Sequence, residues 1–535
     1  MKDFVHTCKR YVSLLLIFMF NCLPIKNNKV FFFSYYGAQY GCNPKYITEY
    51  ILRNIPNTFD LVWAFNDLES KQHLTGFRKV RTMSLKYFYE LCTSKVVITN
   101  FRTTNLYIKR ENQFYIQTWH SSLRLKQIEK DAEAALPPHY VQMARNDSVK
   151  CDLLLSGCGY STEIFKRSFW YDGEIFEHGT PRNDVLFESN FKSRAKILDP
   201  LNIPVDRKVI LYAPTFRRNN GLEVYDLNYS KVISSMSNKF GGEWVLLIRL
   251  HPHLISKSGQ LIYGDNTIDV TTYDDVQELL SIGDVLISDY SSLMFDFSLT
   301  KRPCFLYVPD VEEYTNNDRD LYFDLQELPF ISATSNDELL KEIDTFNEAE
   351  YRRSMNSFAD HISTFEEGDA CEHIVERMVS ICFQGEGVLP VKKYNVGYTT
   401  GVFDLFHVGH LNILRRAKEQ CNYLIVGVSS DELVMDYKNK KPVIPHKERM
   451  EILESIVYVD KVVSQDSRDK FVAWEQLAFD VMFVGDDWKG SALFSEVERK
   501  LYQVGADIVY FPYTKGVSTT KVKERIQAVP HAVQI

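Results

Sequence analysis

Two histidines, His407 and His410, stand where a strand pattern gives way to a helix pattern. The strand-like run Asn395–Thr399 precedes them and the helical pattern Leu411–Gln420 follows. A helix N-terminus attracts anions, because its first N–H groups are unpaired and the helix dipole is positive there. We therefore expect both imidazoles to donate hydrogen bonds to phosphoryl oxygens as charge builds up in an in-line displacement.

A zinc pair is a poorer interpretation of the two histidines, since no third ligand lies nearby in the sequence. Two unrelated histidines would not explain the glycines that surround them.

Several segments that follow this motif occur in an order that is typical of one enzyme class. They are Lys438–Lys441, His446–Arg449, Gly485–Trp488 and Thr514–Thr520. Together with the histidines, they resemble the HxGH nucleotidyltransferase superfamily, and within it glycerol-3-phosphate cytidylyltransferase. The resemblance implies that a substrate phosphate attacks the α-phosphate of CTP, with Mg²⁺ bound to CTP and pyrophosphate as the leaving group. The residues that it implies for CTP binding are Thr400, Gly401, Val402, Phe403, Asp404, Lys438, Lys441, Arg449, Asp487, Trp488, Ser518, Thr519 and Thr520.

Two positions depart from the pattern of the bacterial glycerol phosphate enzymes. Val402 replaces a threonine, which makes the segment similar to the choline phosphate and ethanolamine phosphate enzymes. Tyr513 stands where an arginine normally precedes the Thr-x-Gly segment, and its loss removes a forked positive charge. The acceptor of the cytidylyl group therefore stays open between glycerol 3-phosphate and another phospho-alcohol.

Length and composition limit the classes of function. The chain has 535 residues, which predicts about three domains, and it carries a net charge of −8. This charge and the absence of a matching motif argue against nucleic-acid binding. The 10 cysteines form no CxxC pair, which favours reduced thiols in the cytoplasm.

The N-terminal segment 1–28 combines an apolar run, Tyr11–Phe20, with basic residues on both sides. The run is about half as long as a membrane-spanning helix requires, and no small-residue cleavage site follows it. We therefore expect either an anchor on the inner surface of the cell membrane or a buried first helix.

The next part of the chain alternates short apolar runs with helical patterns, which is the signature of α/β folds. One series of runs ends before Asp199–Pro204 and a second series follows it. We therefore predict two doubly wound domains, 29–200 and 201–382, followed by a linker at 383–393 and the smaller nucleotidyltransferase domain at 394–530. The predicted strands are Val30–Ser34, Leu61–Ala64, Val96–Thr99, Phe114–Thr118, Leu153–Ser156, Val209–Ala213, Val245–Arg249, Val285–Ser288 and Cys304–Val308.

Motifs near the ends of these strands carry a second resemblance. They are Gln117–Lys126, Gly179–Asp184, Tyr212–Arg217, Arg249–His253, Ser288–Ser292 and Arg319–Asp324. In this order they resemble the CDP-glycerol glycerophosphotransferases, although Ser121 replaces a glycine of the family. The resemblance implies a GT-B-like pair of domains that transfers glycerol phosphate from CDP-glycerol to a polymer hydroxyl.

The resemblance also implies roles for residues of these motifs. His120 would be the general base, and His251 would bind the donor phosphates or assist the leaving group. The residues expected around the pyrophosphate of the donor are Arg217, Arg249, Ser288, Asp289, Ser291 and Ser292.

The sequence thus predicts a bifunctional enzyme that makes CDP-glycerol from CTP and glycerol 3-phosphate and then uses it. The acceptor would be a teichoic-acid-like or capsular polymer, or a lipid-linked glycan, at the cytoplasmic face of the membrane. Cytidylyltransferases of this type often form homodimers. Two alternatives stay open: the same scheme with CDP-ethanolamine, CDP-choline or an isomeric CDP-glycerol, and a membrane-associated scaffold with one active domain.

Overall fold

The computed structural model describes residues 2–187, 191–217, 226–250, 254, 264–317, 320–383, 394–438, 441–490 and 492–511. The chain forms two compact units, one mainly of Met1–Leu52 and Pro56–Val388 and the other mainly of Leu389–Ile535. Both units are built on parallel sheets flanked by helices, which confirms the predicted α/β class.

The first unit begins with a seven-stranded parallel sheet in the order β3-β2-β1-β4-β5-β6-β7. Its middle strands β2 and β4 are buried along most of their length, because helices cover both faces of such a sheet. The strands are β1 (Lys26–Phe33), β2 (Asp60–Phe65), β3 (Arg78–Arg81), β4 (Ser94–Thr99), β5 (Phe114–Gln117), β6 (Leu153–Leu155) and β7 (Glu174–Phe176). The helices are α1 (Lys2–Asn21), α2 (Cys42–Asn54), α3 (Leu85–Thr93), α4 (Pro138–Lys150), α5 (Gly159–Ser168) and α6 (Phe191–Leu198).

A second parallel sheet of six strands, in the order β10-β9-β8-β11-β12-β13, completes this unit. Its strands are β8 (Lys208–Tyr212), β9 (Trp244–Ile248), β10 (Thr267–Asp269), β11 (Val285–Ser288), β12 (Cys304–Tyr307) and β13 (Ile331–Ala333). The accompanying helices are α7 (Tyr229–Phe240), α8 (Val276–Ile282), α9 (Leu293–Ser298), α10 (Val311–Asn317), α11 (Asn336–Thr345), α12 (Glu348–His361) and α13 (Ala370–Cys382). The two sheets confirm the predicted pair of doubly wound halves.

Helix α13 differs from the predicted boundary, which assigned residues up to 382 to the second half. It packs against β4 and the turn Pro181–Leu186 of the first half. The cause is its apolar face: Ile374, Val375 and Met378 are buried. The predicted linker 383–393 lies outside the described residues, apart from Phe383.

The second unit contains a five-stranded parallel sheet in the order β16-β15-β14-β17-β18. The strands are β14 (Tyr394–Gly401), β15 (Cys421–Ser429), β16 (Lys461–Gln465), β17 (Val481–Gly485) and β18 (Asp507–Phe511). The helices are α14 (Val408–Gln420), α15 (Asp431–Lys438), α16 (His446–Glu454), α17 (Lys470–Leu477) and α18 (Ala492–Gln503). The strand order reverses between β14 and β17, and ligands of such sheets bind beyond the carboxyl ends of the strands at this point.

Helix α1 is both packed and exposed. Ile17 is 1% exposed and belongs to the core cluster that contains Phe31 and Tyr87. On the outer side, Tyr11 and Phe18 are 68% and 72% exposed. Among the described helices, none combines the length and the apolarity that crossing a membrane requires. The first helix therefore docks on the core and still presents an apolar face to its surroundings.

Buried ion pairs join the two halves of the first unit. The Lys45 ammonium lies 2.6 Å from carboxylate oxygens of both Asp275 and Glu278. The Arg182 guanidinium pairs with Asp296, and both side chains are at least nine-tenths buried. Such pairs fix the relative position of the halves, because separating them would leave charges in an apolar surrounding.

We predict that Lys45→Met lowers the free energy of unfolding of the first unit by about 3 kcal/mol, because the buried Asp275 carboxylate loses its cation. Urea denaturation would measure the change. Lys166→Met is the matched control, since Lys166 pairs with Glu163 in solvent and its loss should not move the transition. Equal midpoints for both variants would contradict this role of Lys45.

Candidate functional site

The first candidate site lies at the carboxyl end of β5, where His120 follows an unusual turn. Trp119 has a φ of +52°, which requires support from its surroundings. The Asn43 amide supplies it by donating to the carbonyl oxygens of Thr118 and Trp119 at 3.1 and 3.2 Å. The Trp119 N–H in turn donates to the Gln117 side chain at 3.0 Å. His120 is thus held on a rigid turn at the edge of the sheet.

His120 has the properties that a general base needs. Its side chain is exposed, and its Nδ1 lies 3.3 Å from the carbonyl oxygen of Asn100. A carbonyl can only accept, so this hydrogen bond requires the proton on Nδ1 and leaves Nε2 free to accept another. Partial desolvation by the surrounding protein, followed by the positive charge of Arg182, lowers the pKa of His120 below its usual value. The ring is therefore neutral near pH 7.

Two buried arginines near this turn were missed from the sequence. Arg182, in the motif Gly179–Asp184, donates to Asp296, and its backbone N–H donates to Asn43. Arg124 is 3% exposed, donates to the Ser121 carbonyl oxygen at 3.1 Å and lies 4.5 Å over the Phe165 ring. Both charges act on the His120 imidazole. The motif Gly179–Asp184 could have pointed to Arg182 from the sequence. Asn43 could not be found in this way, because its hydrogen bonds to Thr118 and Trp119 exist only in the folded chain.

The predicted serine-rich donor loop follows β11, where the second sheet reverses its strand order. The Ser288 hydroxyl is buried and donates to the Ala213 carbonyl oxygen at 2.7 Å. Ser291 Oγ accepts from the Leu293 N–H at 3.3 Å, and Ser292 is partly exposed. Of the three hydroxyls, that of Ser288 is therefore engaged in holding the loop.

Asp289 and Arg217 bind each other rather than presenting free charge. The Arg217 guanidinium lies 2.9 Å from Asp289 and 2.6 Å from Asp310. Asp289 also accepts from the Thr215 N–H at 2.9 Å. The expectation that Arg217 adds positive charge to the donor site is thus weakened, because two carboxylates compensate it.

Arg249 lies at the end of β9 and donates to the Tyr273 carbonyl oxygen. Burial lowers the pKa of Arg249, although Asp275 opposes this effect. His251, the second predicted catalytic residue of this unit, lies outside the described residues.

The second candidate site follows β14, the central strand of the second unit. His407 precedes α14 and His410 lies in its first turn; their rings stack 3.9 Å apart at an interplanar angle of 12°. Desolvation, followed by repulsion from His407, lowers the pKa of His410 to about 3. Desolvation also lowers the pKa of His407. Both Nδ1 atoms are buried without a hydrogen-bond partner. The two stacked imidazoles, each with an unpaired Nδ1, thus lie at a helix N-terminus, where the helix dipole favours an anion.

The loop between β14 and α14 is shaped by close contacts. A Cβ on Gly401 would lie 3.2 Å from the Phe403 ring, and Phe403 itself has a φ of +53°. Asp404 is buried and accepts from the N–H groups of Val443 and Ile444, each at 3.0 Å. Asp404 therefore ties the histidine loop to the segment that follows the basic residues 438–441.

Arg449 has a different environment from the one expected. Its side chain is fully buried and donates to Ile444 O at 2.9 Å, Ser429 O at 2.9 Å and Asp431 Oδ1 at 2.6 Å. It also donates to Val402 O at 2.5 Å, next to Gly401. In this arrangement Arg449 has a structural role, because it holds the histidine loop through the Val402 carbonyl oxygen while its charge is paired with Asp431. Sequence alone could not distinguish these roles, because both use an arginine at this position of the helix.

The remaining predicted CTP-binding residues are only partly described. Thr400 donates to the Gln465 side chain at the end of β16, and Val402 is partly buried. Trp488 follows β17, the neighbour of β14, and is 40% exposed. Lys441 lies just before Val443. The side chains of Lys438 and Asp487 and all of Ser518, Thr519 and Thr520 lie outside the described residues.

No protein-bound metal centre can be assigned to this site from the described residues. No group of three or more potential metal ligands lies together in that part of the chain. The nearby carboxylate, Asp404, already accepts two backbone hydrogen bonds.

Comparisons with known proteins agree with this division of the chain. A family model described as CDP-Glycerol:Poly(glycerophosphate) glycerophosphotransferase matches residues 15–380. A model described as Cytidylyltransferase-like matches residues 398–525. The second range lies within the predicted domain 394–530, whereas the first begins at residue 15, inside the segment 1–28 that we expected to be separate.

Curated relatives match the first region. The teichoic acid poly(glycerol phosphate) polymerase of Bacillus spizizenii is 33% identical over 67% of this chain and 93% of its own length. The polymerase of Bacillus subtilis is 32% identical over 69% of this chain, but over only 50% of its own length. The teichoic acid glycerol-phosphate transferase of Staphylococcus aureus is 32% identical over 66% of this chain and 93% of its own length. The chain thus spans nearly all of two of these relatives and half of the other.

Solved structures give the same result. The wall teichoic acid polymerase TagF matches with a TM-score of 0.63 and 30% identity, over 72% of this chain and 96% of that chain. A TagF histidine variant soaked with CDPG matches with a TM-score of 0.62 and 30% identity, over 72% of this chain and 96% of that one. This chain therefore belongs to the CDP-glycerol:poly(glycerophosphate) glycerophosphotransferase family, and its second unit is a cytidylyltransferase-like domain.

Proposed function

We propose that the chain is a bifunctional enzyme: its second unit makes CDP-glycerol from CTP and glycerol 3-phosphate, and its first unit transfers glycerol phosphate from CDP-glycerol to a teichoic-acid-like polymer. The observation that carries this proposal is the presence, in one chain, of a glycerophosphotransferase unit with an accessible neutral His120 and a cytidylyltransferase-like unit with a paired-histidine anion site. The product of one unit is then the donor for the other. Joining the units raises the local concentration of that intermediate.

In the transfer step, the acceptor hydroxyl oxygen attacks the β-phosphorus of CDP-glycerol. Nε2 of His120 takes the hydroxyl proton, the bond between the β-phosphorus and the oxygen of CMP breaks, and CMP leaves. The Nδ1 hydrogen bond to Asn100 keeps the ring in the tautomer that can accept this proton. The relatives named glycerol-phosphate polymerases and transferases, together with TagF soaked with CDPG, support this donor.

In the cytidylyl step, a phosphate oxygen of glycerol 3-phosphate attacks the α-phosphorus of CTP, and pyrophosphate leaves. His407 and His410 would donate hydrogen bonds to the phosphoryl oxygens as negative charge builds up. Each neutral imidazole carries one N–H that can donate such a hydrogen bond, and a bound anion favours the protonated form of both rings. Asp404 and Arg449 act by positioning the loop.

The phospho-alcohol used by this second unit has alternatives, because Val402 and Tyr513 also suit a substrate other than glycerol 3-phosphate. CDP-ethanolamine, CDP-choline or an isomeric CDP-glycerol would keep the two-step scheme and change the polymer.

We also propose that the protein works at the cytoplasmic surface of the membrane. The outer face of α1, with Tyr11, Leu15 and Phe18 exposed, supports this location.

We predict that His120→Ala reduces transfer from CDP-glycerol at least 100-fold, since general bases contribute on the order of 10²–10⁴. The wild-type kcat/KM should fall on an acidic limb centred below pH 6.5, because desolvation and the charge of Arg182 lower the pKa of His120. Release of CMP with a polymer acceptor would measure both. His139→Ala removes an exposed histidine of α4 and is the control. An acidic limb centred well above pH 6.5, or an active His120→Ala variant, would contradict the assignment.

We predict that CTP with Mg²⁺ and glycerol 3-phosphate yields pyrophosphate, and that His407→Ala abolishes this release without affecting transfer from added CDP-glycerol. Phosphoethanolamine and phosphocholine, assayed in parallel, decide between the CDP-alcohols. His120→Ala is the reciprocal control and should release pyrophosphate at the wild-type rate. Pyrophosphate release from none of the three phospho-alcohols would refute the activity of the second unit.

A further inference from the structure

Arg124, in the turn that follows His120, is a buried cation whose charge no carboxylate neutralises. Its residue is 3% exposed, and no acidic group lies within ion-pair distance of its guanidinium among the residues that the structure describes. Every other described lysine or arginine that is at least nine-tenths buried has a carboxylate partner. The pairs are Lys29 with Glu90, Lys45 with Asp275, Lys71 with Asp274, Arg102 with Asp147, Arg182 with Asp296, Arg217 with Asp289 and Arg449 with Asp431. Arg124 is therefore an exception among the described buried cations.

A carbonyl oxygen and an aromatic ring surround the Arg124 guanidinium. Nη2 donates to the Ser121 carbonyl oxygen at 3.1 Å, and the guanidinium carbon lies 4.5 Å over the Phe165 ring. Nε and Nη1 are buried and have no hydrogen-bond partner. Burial lowers the pKa of Arg124 to about 10, so the group still carries its charge near pH 7. A buried charge without a counter-ion costs stability, and costly features of this kind cluster at functional sites.

Two other charged groups lie near the same turn and affect the field there. The Arg182 guanidinium is already paired with a carboxylate. The Glu366 carboxylate lies beside the Ser122 hydroxyl and accepts from the Thr180 N–H at 3.0 Å. Burial raises the pKa of Glu366 to about 7, so only part of it is ionised near neutral pH. The charge of Arg124 is therefore offset only in part, and the turn keeps a net positive field.

The proposed transfer step brings an anion to this turn. The acceptor hydroxyl must lie within hydrogen-bond reach of His120 Nε2 and about 3 Å from the β-phosphorus, so the diphosphate comes to about 6 Å from the imidazole. Ser121, whose carbonyl oxygen binds Arg124, directly follows His120. The guanidinium and the diphosphate are then on the order of 10 Å apart, and at an effective dielectric constant of about 20 a pair of unit charges at this distance changes affinity roughly tenfold.

We propose that the uncompensated charge of Arg124 sets the affinity of the first unit for the diphosphate of CDP-glycerol and thereby selects an anionic donor at the His120 turn. The inference rests on the proposed transfer function and adds a specificity-determining residue to it. Because its nitrogens are buried, Arg124 acts on the donor through its electric field and does not touch it. The attraction is nearly equal for the bound donor and for the transition state, so it lowers KM and leaves kcat almost unchanged.

The kinetics of transfer by the full-length protein test this role, since they report on the first unit alone although both units are proposed to bind cytidine nucleotides. Arg124→Met puts an apolar side chain in place of the guanidinium. We expect the KM of CDP-glycerol to rise roughly fivefold or more, with kcat within about twofold of the wild type. The inhibition constant of cytidine, which lacks the phosphates, should stay within about twofold, because a neutral ligand is not attracted by the charge.

Thermal unfolding separates this role from a structural one. The first unit of Arg124→Met should melt at or above the wild-type Tm, because the variant removes an uncompensated buried charge. Arg145→Met is the matched control: Arg145 is half-exposed and pairs with Glu133, so its loss should leave the KM of CDP-glycerol unchanged.

Four results for Arg124→Met would overturn the proposal: an unchanged KM of CDP-glycerol, a fall in kcat alone, an equal loss of affinity for cytidine, or a lower Tm. Each of them leaves the transfer function of the wild type intact. A wild-type protein that transfers nothing from CDP-glycerol would instead refute the proposed function, and the inference about Arg124 with it.

Discussion

The geometry of parallel strands is the constraint on which both candidate sites depend. Parallel strands end at a common edge, and the loops that leave this edge beside a reversal of strand order are free to bind a ligand. The paired histidines follow β14, whose neighbour β17 leads into Trp488. His120 follows β5 in the first unit, one strand beyond the reversal between β1 and β4, and its turn is fixed by Asn43 at the start of α2. The chemistry therefore sits on loops whose ends are anchored in buried strands, which limits their motion.

A second common feature is that the protein keeps its candidate catalytic imidazoles neutral. Desolvation contributes most in each case, and a nearby positive charge or a second imidazole adds to it. The consequence differs between the two sites, since a neutral His120 can accept a proton, whereas His407 and His410 are proposed to donate hydrogen bonds to phosphoryl oxygens. Buried ion pairs such as that of Arg182 with Asp296 hold the first site together and also supply part of this electrostatic field.

The sequence predicted the layout of the sheets better than the roles of individual charged residues. All nine predicted strands of the first unit exist within a few residues, because interior parallel strands are continuous apolar runs. The strands that were missed, Arg78–Arg81, Glu174–Phe176, Thr267–Asp269 and Ile331–Ala333, are short and lie at sheet edges. Arg449 was expected to bind phosphate but is buried, and Asn43 was not singled out, since its partners are about 75 residues away in sequence. The type of a residue shows which hydrogen bonds and ion pairs it can form, whereas its actual partners depend on the fold.

The central claim is that both units act on one intermediate, and a single reaction with radiolabelled glycerol 3-phosphate, CTP and a polymer acceptor tests it most directly. The account predicts that label enters the polymer only when CTP is present. The His120→Ala variant should accumulate labelled CDP-glycerol, and the His407→Ala variant should form neither labelled product. Label that reaches CDP-glycerol but never the polymer of the wild type, or polymer labelling that persists in His407→Ala, would show that the two units do not share this intermediate.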